Sequence, residues 1–599
     1  MPVIINVKDK RWNAHKIDWA RIAENALILE NKGSEVSITL TNDRELRALN
    51  KKWRGIDSST NVLSFESGDK ELLGDIFISF DTAEREAPDD FANHAAHLIT
   101  HGVLHLQGFD HIENRAAAAM EKKEAALLKK LGIKNPYGEN RWRKILTAIG
   151  LFALGWLGVY GFAPHHFWIA TAVSIGAAYY LLRDRRGGFW WGAGYGTAGF
   201  HWCLESIFAN DNIAAAMWHF YPIGLIGIAA ASGFIFGLPF WMTNKTGATG
   251  ARRVADFALA WTFVLWLREW ALTGFPWNPV ANIVIESAAV AGLMSIVGAL
   301  GLTFIIVAAI CSIPEFARTR AKWPFLFFAP LLLAPLWNPR VIFDNGELVR
   351  IVQPGTDMNQ KFDKAHIDAN IANLVEMSKD SGADFVVWPE TAYLGSGAAL
   401  PKIGAKLITG AFFAAAEKLF NGMLVGDAAG RITGVYAKHH LVPFGEYSPL
   451  GIMPSMGNLA AGPGPIVIDD FVPAICYEII FSDSLVPTGA APHYIINITN
   501  DAWFGTSGGP AQHLDMARRQ AIETGLPVVR ANQAGISAII DARGRVLDSI
   551  PLGGRGFIDA RVPAAIAAPY RRLGLNGAML LIVVISAAII FCTRKKDQD

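Results

Sequence analysis

Three histidines in HGVLHLQGFDH (101–111), and a glutamate, a lysine and a cysteine spread over residues 390–476, have types and spacings that could do chemistry. His101 and His105 stand four apart, so on a helix they share one face. Gly108 lets the chain turn, and His111 can return to meet them. Three neutral imidazoles with one position left open form a catalytic zinc centre, where the metal activates water. His94 and His97 fall on a similar face and read as surface residues or as groups that orient the ligands. Further on, VVWPETA places Glu390 just after a strand, YAKHHLVPFGEY carries Lys438 and Glu446, and AICYEII carries Cys476 and Glu478 at a strand end. A cysteine attacks as the thiolate and needs a base or a nearby cation. Glu390 can take its proton, and Lys438 can stabilise the thiolate and the oxyanion that follows.

Two different settings must position these groups. Residues 1–138 are rich in Lys, Glu, Asp and Arg. EVSITL (35–40) and LLGDIFIS (72–79) alternate as strands do. TNDRELRALNKKW (41–53) opens with a Thr cap signal and runs on as a helix. FANHAAHLITHGVLHLQG (91–108) is a second helix ended by Gly108, and AAAAMEKKEAALLKKLG (116–132) a third closed by Gly132. The expectation is a small α+β domain. Its N-terminus, MPVIINVKDKRWN, lacks the apolar run of a signal peptide, which places the domain in the cytosol.

Beyond residue 141 the composition changes. The chain as a whole is 52% hydrophobic and 18% charged, which leans toward a membrane protein, while its net charge of +1 points to no particular partner. Apolar stretches near 145–162, 166–183, 188–208, 218–242, 254–272, 284–312, 323–338 and 576–592 each have about the length a bilayer core demands of a helix. Loops at 141–144, 183–186, 244–253, 318–322 and 594–596 are basic, whereas those near 163–166, 209–217 and 273–283 contain no Lys or Arg. Basic loops stay cytoplasmic, so both termini lie inside and residues 343–570 lie on the far side. That segment carries short buried-strand runs, VRIVQP, ADFVVWPE, FVPAICYE and HYIINIT, among helical patterns such as QHLDMARRQAIETG, which predicts a layered α/β domain. Of the four cysteines, at 203, 311, 476 and 592, three lie in apolar stretches, which argues against a disulfide framework and leaves Cys476 to be explained.

The spacing His-x3-His-x5-His is shared with metal proteases, but those place a general-base Glu directly after the first His, where this chain has Gly102. The segment instead resembles the YbeY family of rRNA maturation endoribonucleases through NKKWRGIDSSTNVLSF (50–65), LGDIFIS (73–79), HGVLHLQGFDH and the NPY at 135–137. The resemblance implies a zinc-dependent single-strand endoribonuclease with His101, His105 and His111 as ligands, Arg54 holding a phosphate, and rRNA or the ribosome as partner.

Glu390, Lys438 and Cys476, in that order, match the triad of the nitrilase superfamily. TGFPWNP (273–279), IVQP (351–354), KHHLVPFGEY, ICYEII, NDAWFGTSGGPAQHLDMARRQAIE (500–523) and NQAGISAII (532–540) together resemble the apolipoprotein N-acyltransferase family. The resemblance implies that Cys476 takes an acyl chain from a phospholipid as a thioester, and that the N-terminal cysteine amine of a lipoprotein then receives it. Glu390 is base then acid, and Lys438 supports the oxyanion. Glu446 and Glu478 are carboxylates that orient the lysine and the base, and Trp277 and Trp503 are assigned to substrate binding, Trp277 from an uncharged outer loop at the membrane interface. Arg268 and Glu269, at the end of a span, are expected to pair with each other or to meet a head group. Only 47 residues, 391–437, separate Glu390 from Lys438, a trimmed version of the family's stretch, and QPGTDMNQKFD (353–363) matches its counterpart loosely.

The fold class expected is therefore multidomain. A small α+β zinc hydrolase domain (1–138) precedes transmembrane helices 1–7 of about eight spans (141–342). An inserted nitrilase-like α-β-β-α sandwich (343–570) and a last span with its tail (571–599) complete it. The chain would be a multi-pass protein of a bacterial inner membrane, with the nuclease domain cytosolic and the acyltransferase domain periplasmic. The alternative reading is a membrane-tethered amidase or nitrilase joined to a non-catalytic zinc module that binds RNA or the ribosome. The sequence sets no oligomeric state.

Overall fold

Short runs of alternating residues build the sheet of the N-terminal unit. In the computed structural model, β1 (Val3–Val7), β2 (Glu35–Thr41), β3 (Val62–Glu66) and β4 (Leu72–Ser79) form a sheet in the order β1-β2-β4-β3. The first three neighbours run parallel, and β3 is antiparallel to β4. The structure describes the chain except residues 1–2, 16, 28–33, 70, 110–113, 137–140, 183–186, 321, 338, 340, 342–345, 357, 362, 396–398, 450–457, 484 and 597–599. Around the sheet lie α1 (Trp19–Ala26), α2 (Asp43–Arg54), α3 (Phe80–Glu86), α4 (Phe91–Leu106) and α5 (Asn114–Lys130). The cap of α2 is Asn42, whose side chain accepts from the Glu45 N–H. The expected cap, Thr41, is the last residue of β2 and its hydroxyl donates to the Glu45 carboxylate instead. Leu98, Ile99 and Val103 turn one side of α4 into the core. Gly102 sits where a Cβ would come within 2.9 Å of Ile76 and 3.1 Å of Ser64. The helix therefore lies flush on the sheet, and a glutamate at that position has no room.

Chain contacts divide the protein at Thr147/Ala148 into two units. Helices occupy every one of the apolar stretches. They include α6 (Arg141–Leu157), α7 (Trp168–Leu181), α8 (Gly188–Phe200), α9 (Tyr221–Lys245), α10 (Gly250–Leu267) and α11 (Met294–Thr319). Among the described residues, four stretches are long and apolar enough to cross a membrane: Lys144–Gly161, Asp211–Lys245, Met294–Thr319 and Tyr570–Cys592. The remaining stretches are shorter or differently built. The 188–208 stretch changes from α-helix to a 3₁₀ turn at His201, and the 284–312 stretch becomes a long helix only at Met294. Residues 323–336 run 3₁₀, α, 3₁₀, because Pro330 and Pro335 supply no backbone N–H to a continuous ladder.

The segment after residue 347 is the predicted layered domain. One sheet has the order β15-β5-β6-β7-β8-β9 and comprises β5 (Leu348–Gln353), β6 (Phe385–Val387), β7 (Lys406–Ala415), β8 (Lys418–Gly426), β9 (Ile432–Ala437) and β15 (Gly556–Arg561). The other, in the order β10-β11-β12-β13-β14, comprises β10 (Phe471–Ile475), β11 (Tyr494–Thr499), β12 (Val528–Asn532), β13 (Ser537–Ile540) and β14 (Val546–Ile550). β10, β11 and β12 are parallel and buried throughout, as their unbroken apolar runs require. Pro473 is tolerated because β10 is an edge strand. Ile351, Val387 and Met423 of one sheet meet Ile475, Ile496 and Val529 of the other in a shared core. Helix α12 (Lys364–Ser378) covers the six-stranded sheet through Leu374. Helix α13 (Gly509–Thr524) covers the five-stranded one through Met516, Ala521 and Ile522. That second outer layer is continuous with Ile175, Trp261 and Val307 of the apolar helices, so the sandwich and the helices share one core. The chain then enters α14 (Tyr570–Lys596).

Candidate active sites

In the N-terminal unit, α4 presents His94, His97, His101 and His105 as a stripe at intervals of three and four. His105 Nε2 lies 3.1 Å from His101 Nε2. Two nitrogens bound to one tetrahedral ion are separated by about 3.3 Å, given bonds of about 2.0–2.1 Å, so this pair suits a common metal. The other nitrogen of His101, Nδ1, faces Glu124 Oε2 at 3.5 Å, and His97 Nε2 lies 3.0 Å from Glu124 Oε1. Glu124 comes from α5 and is fully buried. A carboxylate on the far nitrogen of a ligating histidine fixes its tautomer and raises its basicity. The donor set thus fits a metal, with Glu124 as the group sequence reading missed. His111 lies outside the described residues. Gly108 takes the left-handed conformation, φ 81°, that the expected turn requires. Arg54 is exposed at the end of α2, where Lys51 pairs with Asp57 at 3.0 Å.

In the second unit, three strand ends converge. Glu390 follows β6, Lys438 follows β9, and Cys476 follows β10 with a left-handed φ of 51°. Lys438 Nζ sits 3.6 Å from Glu390 Oε1 and 2.9 Å from Glu446. Asn421 on β8 joins the two carboxylates: its Nδ2 donates to Glu390 Oε1 and to Glu446 Oε1, both at 2.8 Å. Glu446 also accepts from the Val442 N–H at 2.8 Å. Burial disfavours the Lys438 ammonium, but Glu446 and Glu390 outweigh it and hold the proton on. A second buried lysine, Lys361, donates to the Glu390 main-chain carbonyl at 3.0 Å, and burial brings it down to about 8. Burial, with Glu390 nearby, pushes the Cys476 thiol up to about 12. A thiol so raised reacts only when its proton is taken in the same step, which is the work a carboxylate beside a lysine can do.

Residues 398–572 match the carbon-nitrogen hydrolase family, and 154–312 match the apolipoprotein N-acyltransferase N-terminal domain. The apolipoprotein N-acyltransferase of Rhodopseudomonas palustris is 30% identical over 524 residues, which is 76% of this chain and 96% of that protein. That of Bradyrhizobium diazoefficiens is 31% identical over 522 residues, covering 76% and 95%. The chain belongs to the apolipoprotein N-acyltransferase family. Residues 4–132 in addition match the endoribonuclease YbeY family, so two enzymes are joined in one chain. Among solved structures, XC1258 of Xanthomonas campestris, a CN-hydrolase superfamily protein, is 19% identical, covering 40% of this chain and 97% of its own, with a TM-score of 0.30.

Within this N-acyltransferase unit some sequence-picked residues sit elsewhere than expected. Glu478 makes no hydrogen bond or ion pair to Lys438 or Glu390, although its charge adds to those that hold the Lys438 proton. Its Oε1 accepts from Tyr436 at 2.7 Å and from the His439 N–H at 2.8 Å, and its Oε2 accepts from the Ile475 N–H at 2.8 Å. It therefore ties the chain after Lys438 to the chain before Cys476. Trp277, expected at a membrane interface, is buried: its ring packs on Trp202 and His513, and its Nε1 donates to Gln512 at 3.0 Å. Trp503 is half-buried in the turn Asp501–Phe504. Arg268 and Glu269 do not pair. Arg268 donates to the Trp277 carbonyl at 2.9 Å, and Glu269 accepts from Ser482. A cavity of about 820 Å³ opens between the helix ends, at Trp266, Trp270 and Leu575, and the catalytic domain, at His439, His440 and Phe481. Neither Trp277 nor Trp503 lines it.

Proposed function

We propose that the N-acyltransferase unit moves an acyl chain from a phospholipid to the N-terminal cysteine amine of a lipoprotein, through a thioester on Cys476. The meeting of Lys438 with Glu390 and Glu446, beside the strand-end cysteine, is the observation that carries this reading. In the first half, sulfur bonds to the ester carbonyl carbon as its proton passes to Glu390. The ester C–O bond breaks, and the lysophospholipid oxygen leaves with that proton. In the second half, the acceptor amine bonds to the thioester carbon and gives a proton to Glu390. The C–S bond breaks, and the thiol is restored from Glu390. Lys438 offers its positive charge to the oxyanion of both steps. The cavity flanked by Trp266, Trp270 and Leu575 supports an acyl-chain donor, since an amidase acting on small amides needs no apolar space at helix ends. About eight spans would hold the unit in an inner membrane, with the catalytic domain periplasmic and the nuclease domain cytosolic.

The N-terminal unit is proposed to cleave single-stranded RNA in rRNA maturation. His101, His105 and His111 would hold zinc there, Glu124 would orient His101, and Arg54 would hold a phosphate. Zinc in that place supplies Lewis acidity toward the scissile phosphate.

Peptide mass spectrometry of the purified chain after incubation with phospholipid tests the first claim. A hydroxylamine-labile acyl adduct on Cys476, absent from Cys476→Ala, is expected. Turnover of a short amide without any adduct would replace it with the amidase reading. RNA cleavage that persists after metal removal, or in His101→Ala, would refute the second claim.

A further inference from the structure

Behind Cys476 lies a buried chain of polar groups from four elements. His513 on α13 points Nε2 at the Cys476 main-chain carbonyl oxygen, 3.2 Å away, and Nδ1 at Asp501 Oδ1, 2.7 Å away. Asp501 Oδ1 also accepts from the Thr499 hydroxyl at 3.1 Å, and its Oδ2 accepts from Arg530 and from Asn532 Nδ2, both at 2.7 Å. His513, Asp501, Arg530 and Asn532 are all at most 1% exposed.

The donors and acceptors can be counted. With two donors on each oxygen, Asp501 has no place for a proton and is ionised. A carboxylate can only accept, so His513 Nδ1 carries a hydrogen. A main-chain carbonyl can only accept, so Nε2 carries one too. A doubly protonated imidazole is a cation, and the ring 5.3 Å from it belongs to Trp277, the side chain best suited to face one.

We propose that His513, doubly protonated between Asp501 and the Cys476 carbonyl, is a positioning residue: it holds the nucleophile's backbone and sets a positive charge behind it. Cys476 has φ 51°, a conformation a cysteine keeps only when its surroundings fix it. The hydrogen bond to its carbonyl is such a constraint. The charge sits one residue's backbone away from the sulfur and, with Lys438, favours the thiolate against the opposing charges of Glu390 and Asp501. The proposal rests on Cys476 being the nucleophile, which the wild-type acyl adduct tests separately.

Three full-length variants separate the two roles. His513→Gln keeps a donor for the carbonyl and loses the charge. His513→Phe loses both. Asp501→Asn keeps the volume and removes the counter-ion. Peptide-resolved labelling of Cys476 by iodoacetamide reads thiolate formation without any substrate. His513→Gln is expected to label about tenfold more slowly at pH 8, with the profile moved about one pH unit upward, as loss of one charge interaction implies; Asp501→Asn, which takes away a negative charge as the ring loses its proton, is expected to move the profile less. His513→Phe is expected also to slow acyl-adduct formation at saturating phospholipid, with KM for phospholipid unchanged, because the backbone constraint is gone. A wild-type labelling profile in folded His513→Gln would overturn the proposal. So would failure of all three to fold, which would assign the network to folding alone.

Discussion

Asn421 offers a sharp test of how the two carboxylates are held. It is buried at 2% exposure in mid-strand, and one NH₂ group serves both Glu390 and Glu446 at 2.8 Å. Asn421→Leu keeps the volume and removes both bonds. A hydrogen bond to an ionised group contributes about 1.5–3 kcal/mol, and here two carboxylates lose one each. The Lys438 ammonium remains within 2.9 Å of Glu446 and 3.6 Å of Glu390, so it retains Glu446 better than Glu390. The loss therefore falls mainly on Glu390. If one bond's worth of misplacement reaches the transition state, acyl-enzyme formation slows by about ten- to 150-fold, at about 1.4 kcal/mol per tenfold. Rapid-quench mass spectrometry of the Cys476 adduct measures the rate, and thermal unfolding in detergent measures stability. A double-mutant cycle with Glu446→Gln should give non-additive losses, because the two share one donor. A variant that acylates within twofold of wild type, with unchanged melting, would refute the view that Asn421 organises the pair.

Lys438→Met should leave Glu390 and Glu446 buried without their cation, costing about 3–5 kcal/mol of stability and all detectable adduct; thermal unfolding and intact mass read both. With its thiol pushed up to about 12, Cys476 should be alkylated about tenfold faster per unit rise in pH through the range below that value, and saturation below pH 9 would contradict the burial argument. The thiol form is favoured by folding, so this group's stabilising contribution is full below pH 9 and declines as pH approaches about 12. Glu124→Gln should weaken metal binding by the N-terminal unit by about ten- to 100-fold without removing a histidine, as competition with a metallochromic chelator would report.

Much of both candidate sites was legible along the chain because the groups that could react sit in short, self-contained signals. His101 and His105 are neighbours by helical geometry alone, and Gly108 declares the turn. Glu390 and Cys476 each end a strand whose apolar run is readable, whereas Lys438 follows β9, ITGVYA, which has no such run and pairs antiparallel with β8. The apolar stretches declare their helices.

What the sequence could not determine depends on residues far apart. Glu124 looks like one more charge in MEKKEAALLKK, and only the packing of α5 on α4 buries it against His97 and His101. Asn421, in mid-strand on β8, gains its role because the fold brings Glu390 and Glu446 to its side chain from 31 and 25 residues away. Glu478 lies two residues from Cys476 in a motif, yet its bonds go to Tyr436 and to the backbone at 439 and 475, where the 3₁₀ turn after β10 places it. Trp277 looked like an interface tryptophan because its loop lacks charge, but α13 closes over it and fills its N–H. Local pattern fixed which residues could react and on which elements they lie; long-range packing decided which groups surround them, because a buried hydrogen bond is set by where elements dock rather than by neighbours in sequence.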